Sequence, residues 1–366
     1  MLKKLMLSAS ALAFCASATA AYADAPQAIV DAAKKEGQLT VIALPHDWCG
    51  YGAVIDAFKK KYPDITVNEL NPDAGSGDEI QAIKANQGNT GPQAPDVIDV
   101  GLSFGPSSKT DKLIQPYKVS TWDSIPASAK DKDGYWYGDY YGVMAFLVND
   151  DLVKDPPKTW ADLQKSDYAN QIALSGDPRV SNQAIQSVYA AGLASKGKAG
   201  ADAGTKGLDF FAKLNKAGNF VPVIGKAATV AQGTSPIVTN WDYNALAWRD
   251  GFAGNPKAEV IVPSDAVVAG VYIQAISAYA PHPNAAKLWE EYLYSDDGQI
   301  GWLAGYCHPI RFNDLAKKGK IPQDLLAKLP SAALYAKAVF PTLDEQAAAK
   351  DVITKQWDTA VGANVK

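Results

Sequence analysis

The sequence LTVIAL at residues 39–44 is a short apolar run without a charge, and it starts the pattern that decides the fold. Such a run is typical of a buried strand. Helical spacing follows over 54–61, strand-like alternation over 65–70, a second amphipathic helix over 78–87 and another apolar strand over 97–100. Strands that alternate with helices in this way predict a parallel sheet with crossover helices.

A second α/β pattern begins after an aromatic-rich stretch that ends near residue 141. Strands are predicted at 143–148, 171–174, 236–239, 259–262 and 267–280, and helices at 181–193, 207–216 and 284–294. Because the last strand returns to the first sheet, the chain crosses twice between two α/β units. We therefore predict a first lobe from 24–143 and 268–320, a second lobe from 144–267, and C-terminal helices over 321–366 that pack on the lobes. A cleft between lobes is the usual small-molecule site.

The first 23 residues have the three parts of a secretory signal peptide. Two lysines precede an apolar run over 5–18, and Ala21-Tyr22-Ala23 fits the small-x-small cleavage pattern. The apolar run is too short for a stable membrane span. We expect cleavage near Ala23 and export of the mature protein to the periplasm.

Removal of this segment leaves 343 residues, and the two lysines lost with it lower the Lys and Arg count from 35 to 33 against 39 acids, a formal charge of −6. A chain of this size suggests two domains. A mildly acidic exported protein does not suit nucleic acid or an anionic membrane surface. We therefore expect a small-molecule ligand and no nucleic acid.

Two cysteines, Cys49 and Cys307, remain after cleavage. In an oxidising compartment an even pair favours a disulfide, which here would join a loop near the N-terminus to one near the C-terminus. Two unconnected thiols are the alternative. The sequences around the two cysteines lack the CxxC spacing of a zinc site, so we expect no metal.

Five segments resemble the substrate-binding proteins of ABC importers. They are APDVIDVG (94–101), YYGVMAFLVNDDLVKDPPKTWADL (140–163), NQIALSGDPRVSNQ (170–183), HPNAAKLWEEYLYSDDGQ (282–299) and GYCHPIR (305–311). The subgroup is the one with type II topology that includes spermidine/putrescine, ferric iron and phosphonate binders, and within it the chain most resembles γ-aminobutyrate and ω-amino-acid binders. The resemblance implies a two-lobe fold in which each lobe is a mostly parallel sheet flanked by helices. It also implies a monomer without catalysis or cofactor, whose partners are a small ligand and the permease subunits.

An ω-amino acid is charged at both ends, so its site needs a cation, an anion and an apolar or aromatic slot between them. Arg179 follows the predicted strand 171–174 and precedes the helix at 181–193, where helix N–H groups favour an anion. Its planar fork suits a carboxylate or phosphonate, and Ser181 adds a donor. The alternative is a surface salt bridge to Asp177.

Asp242 is the candidate for the ammonium group, because it follows the apolar strand at 236–239 between two aromatic residues. Trp241 and Tyr243 would form cation–π walls beside it. The alternative is that Asp242 caps the helix that follows, which is a common use of Asp.

The first strand-to-helix loop contributes Asp47, Trp48 and Tyr51, because aromatic side chains in such a loop indicate that something covers them. The alternative is aromatic packing around a disulfide. Ser103, just after the third strand, and Tyr272, on the returning strand, complete the predicted ligand-binding residues.

Other functions stay open. A 2-aminoethylphosphonate or polyamine ligand fits the same family, and the adjacent Tyr140 and Tyr141 suggest ferric iron. An enzyme is the alternative of another class: residues 101–105 match the G-x-S-x-G pattern of a secreted serine hydrolase, with Ser103 as nucleophile and His282 or His308 as base. We expect a binding protein and no enzyme, because no HGGG-type oxyanion loop is present.

Overall fold

The structure is a computed structural model that describes residues 25–366. The predicted signal peptide at 1–23 lies outside the described residues. No helix within 25–366 is both long enough and apolar enough to cross a membrane.

The described part of the chain is a mixed α/β structure. Its strands are β1 (Gln38–Ile42), β2 (Thr66–Leu70), β3 (Val97–Gly101), β4 (Ile114–Gln115), β5 (Tyr137–Asn149), β6 (Ile172–Leu174), β7 (Phe220–Ile224), β8 (Ile237–Trp241), β9 (Ala258–Ile261), β10 (Ala269–Ser277) and β11 (His308–Pro309). Its helices are α1 (Gln27–Glu36), α2 (Tyr51–Lys61), α3 (Ser76–Ala85), α4 (Gly105–Thr110), α5 (Asn182–Ala194), α6 (Ala201–Ala217), α7 (Ala227–Ala231), α8 (Asp242–Gly251), α9 (Pro283–Leu293), α10 (Asp296–Ala304), α11 (Phe312–Lys317), α12 (Gln323–Leu326), α13 (Ala332–Tyr335) and α14 (Leu343–Ala360).

The predicted β-α-β-α-β order is confirmed by β1, α2, β2, α3 and β3. Helix α2 ends at Lys61 because the residue before Pro63 disfavours helical backbone, and three lysines in its last turn suit the negative end of the helix dipole. Parallel pairing joins β1 to β2, and β6 to both β7 and β8. The crossing strands β5 and β10 run antiparallel to their neighbours.

Strand β5 joins the two lobes of this fold. Up to Val143 it pairs with β10, and from Met144 onward it pairs with β8 and β9. The change of partners lies between Val143 and Met144. Below, the first lobe is the part built on β3 and β10, and the second lobe is the part built on β6 and β8.

Two glycines face each other where the strands cross. Gly142 on β5 is the register partner of Gly270 on β10. A Cβ on Gly142 would lie 2.5 Å from Asp242 Oδ1, and one on Gly270 would lie 2.1 Å from Trp241 Cη2. The two glycines therefore leave the space into which the β8–α8 junction packs.

The C-terminal helix α14 contacts both lobes. Its N-cap Thr342 forms a capping box, and Trp357 packs its ring 5.9 Å from that of Phe211 in the second lobe. On the first-lobe side, Lys350 Nζ donates to the Ser103 carbonyl at 2.9 Å. The helix thus has contacts with both lobes.

Cys49 and Cys307 form a disulfide with their Cα atoms 5.5 Å apart, so the predicted pairing is confirmed. The two segments also touch through their backbones, because a Cβ on Gly305 would lie 2.0 Å from the Cys49 carbonyl oxygen. The bond ties the loop that carries Asp47 and Trp48 to the segment before β11.

Candidate ligand-binding site

A cavity of about 410 Å³ lies between the two lobes. The first lobe contributes the loop after β1, the start of α3, Asp99 on β3 and Tyr272 on β10. The second lobe contributes the loop between β6 and α5, the start of α7, and Asn244 and Trp248 on α8. These segments are strand ends and helix starts, where α/β folds usually bind their ligands.

The two walls touch each other around the cavity, so the lobes are closed. Trp248 Nε1 donates to Asp47 Oδ2 at 2.8 Å. The Gly77 N–H donates to the Val180 carbonyl at 3.0 Å. Each bond has one partner in each lobe, and neither survives if the lobes separate.

Gly101, the last residue of β3, is also in contact with the second lobe. A Cβ at this position would lie 2.0 Å from Asn182 Cγ. The three nearest atoms all belong to the side-chain amide of Asn182, so a side chain at 101 would force that amide to move. Glycine at 101 therefore lets the Asn182 side chain, in the first turn of α5, pack directly against the end of β3.

Asp99 is a carboxyl group within the fully buried strand β3. Tyr51 and Tyr140 each donate a hydroxyl to its Oδ2 at 2.7 Å. Trp48 in turn donates its indole N–H to the Tyr140 hydroxyl at 2.6 Å. The other oxygen, Oδ1, has no hydrogen-bond partner among the described residues. One oxygen is thus held by the protein, whereas the other, on a residue that lines the cavity, is left without a donor.

Glu79 lies beside Asp99, and its Oε2 accepts the Asp99 backbone N–H at 2.9 Å. Burial raises the pKa of Glu79 well above its usual range, and the neighbouring Asp99 raises it further. Burial also raises the pKa of Asp99 to about 7, although its tyrosine hydrogen bonds act in the opposite direction. These two carboxyl groups therefore favour either protons or a cationic ligand.

The second-lobe wall carries a cluster of buried polar atoms that lack a partner within 25–366. They are Ser175 Oγ, Asn182 Oδ1, Gln183 Oε1 and Asn244 Oδ1, all from residues that line the cavity. An unsatisfied buried polar atom costs about 1–3 kcal/mol, so such a cluster indicates a place that a ligand or water fills. Three of the four are carbonyl acceptors, which suits a ligand rich in N–H or O–H donors.

The start of α5 offers the opposite chemistry. The N-cap Ser181 makes no side-chain hydrogen bond to the helix, so the first-turn N–H groups keep no cap. Such groups and the helix dipole favour an anion. Gly176 brings the chain close to this turn, since a Cβ there would lie 2.3 Å from Ser181 Oγ. The cavity therefore has a carboxyl-rich side and an N–H-rich side.

Residues 93–332 match the family of bacterial extracellular solute-binding proteins. The chain belongs to this family. The match includes residues of both lobes, among them β3, β5, β6, β8 and β10, and begins after α3. As a solute-binding protein of an ABC transporter, it has a small-molecule ligand and the transporter permease as partners.

Known proteins agree with this family assignment. The chain is 24% identical over 276 residues, 74% of its length and 75% of the relative's, to a "Probable ABC transporter periplasmic-binding protein" of Sinorhizobium fredii. The fold resembles that of AgtB from A. tumefaciens in complex with agropinic acid, with a TM-score of 0.70, 16% identity, and coverage of 89% of this chain and 99% of AgtB. It also resembles the Atu4243-GABA receptor, with a TM-score of 0.61, 16% identity, and coverage of 87% and 96%.

Four residues predicted from the sequence line the cavity of this solute-binding protein: Asp47, Trp48, Ser181 and Tyr272. The rings of Trp48 and Tyr272 meet edge to face with centroids 5.2 Å apart, which forms an aromatic wall beside Asp99. Tyr51, also predicted, is fully buried behind the wall and acts through its bond to Asp99.

The structure does not bring Arg179 to the cavity. Its Nε donates to both oxygens of Asp177 at 2.8 and 2.9 Å. This is the salt bridge to Asp177 that was the alternative to a ligand-binding role. Its other nitrogens donate to Asp358 at 3.2 Å and to Asn364 at 2.9 Å in the C-terminal segment. The guanidinium therefore fastens the C-terminus to the second lobe.

Asp242 does not line the cavity either. It is fully buried, and its Oδ1 accepts the Val143 N–H at 2.9 Å while its Oδ2 accepts the Tyr335 hydroxyl. Burial raises the pKa of Asp242 to about 6. Trp241 and Tyr243 beside it have no exposed surface. This aromatic-acid-aromatic run packs the strand crossing instead of forming a wall of the cavity.

The geometry also gives little support to the hydrolase and iron alternatives. Ser103 Oγ is buried without a hydrogen-bond partner among the described residues, and His282 bonds to Asp96 at 2.9 Å. His308 is enclosed by aromatic rings, and burial lowers its pKa to about 4.

Tyr140 points to Asp99 whereas Tyr141 stacks on His308, so the two tyrosines face different surroundings. No cluster of His, Cys, Asp and Glu within 25–366 has the geometry of a metal site.

Sequence reasoning missed most of the polar lining. The missed residues are Glu79, Asp99, Ser175, Gln183, Asn244 and Trp248. Asp99 had a signal in the sequence, because a lone acid inside an apolar strand is seldom buried without a function or a partner. The others lie on helices and loops with ordinary polar composition, where position along the chain gives no indication of what they face.

Proposed function

We propose that this protein captures a small zwitterionic ω-amino acid of the γ-aminobutyrate type in the cavity and delivers it to the permease of an ABC importer. It acts in the periplasm as a monomer after cleavage near Ala23, with lobes formed by 24–143 with 268–320 and by 144–267. The ligand favours the closed form, since the lobes enclose it only when they touch.

The observation that carries this proposal is Asp99 in the lining of the cavity, whose buried Oδ1 has neither a hydrogen-bond partner nor a cation among the described residues. An ammonium group provides both the charge and the donors that this oxygen lacks. Trp48 and Tyr272 stand beside it as aromatic surfaces for the same cation. Among the described residues that line the cavity, Lys226 is the one cationic side chain, and it lies 3.0 Å from Asp73.

The anionic end of the ligand is assigned to the start of α5. Ser175 Oγ lacks a partner there and can donate its proton, and the first-turn N–H groups are uncapped. This places the carboxylate opposite Asp99 without any need for Arg179. A phosphonate would suit the same donors, so 2-aminoethylphosphonate belongs to the same proposal.

A diamine or polyamine is the second candidate, and the charge of the lining favours it. Six carboxyl residues line the cavity: Asp47, Asp73, Asp78, Glu79, Asp99 and Asp177. With only Lys226 against them, the cavity attracts cations, and a second ammonium would replace the carboxylate at the far end.

Isothermal titration calorimetry with five compounds tests these assignments. γ-Aminobutyrate, 2-aminoethylphosphonate and putrescine represent the candidates, and butyrate and butylamine each present one end alone. We expect γ-aminobutyrate to bind and both half-ligands to bind at least about 100-fold more weakly, since each leaves buried polar groups unpaired. If putrescine binds tightly and γ-aminobutyrate does not bind, the ligand is a diamine instead.

Ser175→Ala isolates the carboxylate end. We expect it to weaken γ-aminobutyrate about tenfold and putrescine little, since one hydrogen bond to a charged group contributes about 1.5 kcal/mol. Arg179→Ala is the matched comparison: it should lower the melting temperature without a comparable loss of affinity. Lack of binding by all five compounds would overturn the proposed ligand class and leave the family assignment intact.

A further inference from the structure

Several carboxyl groups are buried in and behind the lining of the cavity, and the described residues around them supply no cation to neutralise them. Asp99 and Glu79 adjoin there, with the Asp99 N–H 2.9 Å from Glu79 Oε2. Asp139 lies behind them, fully buried, and Gln274 Nε2 donates to its Oδ2 at 2.9 Å and also to the Tyr51 hydroxyl at the same distance. Glu290 on α9 is buried too, beside the Tyr137 hydroxyl.

The groups that face Asp99 from the packed elements are all acids, phenols or amides. They are Tyr51 from α2, Glu79 from α3, Asp139 and Tyr140 from β5, Tyr243 from α8, Tyr272 and Gln274 from β10, Glu290 from α9 and Tyr294 just after it. No lysine, arginine or histidine occurs among these described neighbours. The nearest lining cation, Lys226, is paired with Asp73.

A carboxylate without a cation in such surroundings is costly, and a second one beside it is more so. Burial accordingly raises the pKa of Asp99 to about 7, and it raises the pKa of Glu79 and of Asp139 as well. At a given pH, each of these carboxyl groups is therefore protonated to a greater extent than an exposed one. A cation that enters the cavity stabilises the carboxylate form, so the carboxyl group no longer has to stay protonated.

We propose that the cavity exchanges a proton for the ligand's ammonium group: Asp99 carries the proton while the cavity is empty and loses it to solvent as the solute binds. This inference rests on the proposed function, because it needs an amine ligand. The balance is simple. The carboxylic acid and the ammonium ion become an ion pair, and one proton passes to the buffer, so no bond in the ligand changes.

Asp99 is assigned as the exchanging group because two donors orient its Oδ2, while its Oδ1 has no partner among the described residues. Two tyrosine hydroxyls fix Oδ2, and these bonds stabilise the ionised form once the ligand charge is present. Glu79 instead accepts the Asp99 N–H, and the raised pKa of its carboxyl group favours the neutral form. Solute affinity is therefore greater at neutral and mildly alkaline pH than in acid.

Calorimetry of the full chain in buffers of different ionisation enthalpy counts the released protons. With γ-aminobutyrate and with putrescine as probes, we expect close to one proton released per ligand at about pH 6, falling towards zero at about pH 9. The dissociation constant should rise by about tenfold per pH unit below about pH 7. Asp99→Asn should weaken binding and abolish both the proton release and the pH dependence.

Asp64→Asn is the matched control, since this exposed carboxylate is paired with Lys34 at 3.0 Å, does not line the cavity and should leave the proton count unchanged. Wild-type protein that binds an amine with no proton release at about pH 6 overturns the exchange and leaves the proposed function standing. Failure of every amine to bind at any pH overturns both. Because the proton count is made on the wild type, the test holds even if Asp99→Asn folds poorly.

Discussion

Trp248 on α8 donates its indole N–H to Asp47 across the mouth of the cavity, at 2.8 Å. Asp47 belongs to the loop that the Cys49–Cys307 disulfide fixes to the first lobe. One lobe therefore presents a rigidly held acceptor, and the other presents a donor on a helix. Because the bond exists only in the closed form, it adds to the free energy of closure.

Asp47→Ala should weaken solute binding by about threefold to tenfold, because an exposed hydrogen bond to a charged group contributes about 1 kcal/mol. The measurement is the dissociation constant by calorimetry. Asp47→Asn retains an acceptor oxygen and should keep most of the affinity. Equal losses in both variants would show that the charge of Asp47, and not its bond to Trp248, determines binding.

Gly101→Ala should weaken solute binding, because the added Cβ would lie 2.0 Å from Asn182 Cγ and displace a side-chain amide that lines the cavity. We expect about a tenfold loss of affinity by calorimetry, the effect of about one hydrogen bond, with little change in melting temperature. Gly251→Ala is the control, since a Cβ there meets nothing within 4 Å. Normal binding by Gly101→Ala would mean that the Asn182 side chain can turn away without loss to the site.

Replacement of both cysteines by serine should destabilise the protein by about 2–5 kcal/mol, since the bond closes a loop of 258 residues. The melting temperature of the wild type in strong reductant should fall to that of the variant. Solute affinity should fall as well, because Asp47 and Trp48 lose their anchor. A variant with wild-type affinity and a lower melting temperature would limit the disulfide to a role in stability.

Asp242→Ala should destabilise the fold strongly, by about 3 kcal/mol or more, because it leaves the buried Val143 N–H without its acceptor. Tyr335→Phe removes the other partner of Asp242 and should cost less. Thermal melts without ligand measure both effects. An Asp242→Asn variant that melts like the wild type but fails to bind γ-aminobutyrate would support the role predicted for Asp242 from the sequence.

The stability of the empty protein should depend on pH through Asp99. Because the pKa of this carboxyl is raised to about 7 in the folded state, folding favours its protonated form. The carboxyl therefore costs nothing at low pH, destabilises progressively above about pH 4, and reaches its full cost above about pH 7. Relative to the wild type, Asp99→Asn should gain at least about 2 °C in melting temperature between about pH 5 and pH 8. A constant difference would mean that Asp99 is ionised throughout.

Much of the fold could be predicted because its elements have local causes. The apolar run at 39–44 becomes β1, and the alternation at 65–70 becomes β2. A strand buried on both faces has a continuous apolar run, and a strand buried on one face has apolar residues at every second position. The pairing of β5 with β10 and then with β8 is different. It joins residues at least 89 positions apart, and no local pattern specifies it.

The site could be predicted in position but not in detail. Ser181 and Trp48 line the cavity because strand ends and helix starts converge there, which topology dictates. Arg179 sits at the same helix start, but Asp177 and the C-terminal segment bind its guanidinium. The direction of a long side chain depends on distant partners, and the order of residues does not contain that information.

The distribution of tryptophan gives the protein a built-in optical reporter. Of its nine tryptophans, six are buried and three, Trp48, Trp122 and Trp248, are partly exposed. Two of these three line the cavity, and one of them loses its carboxylate partner when the lobes part. Intrinsic emission should therefore follow loading and release in real time, with no dye or fused label attached to the chain.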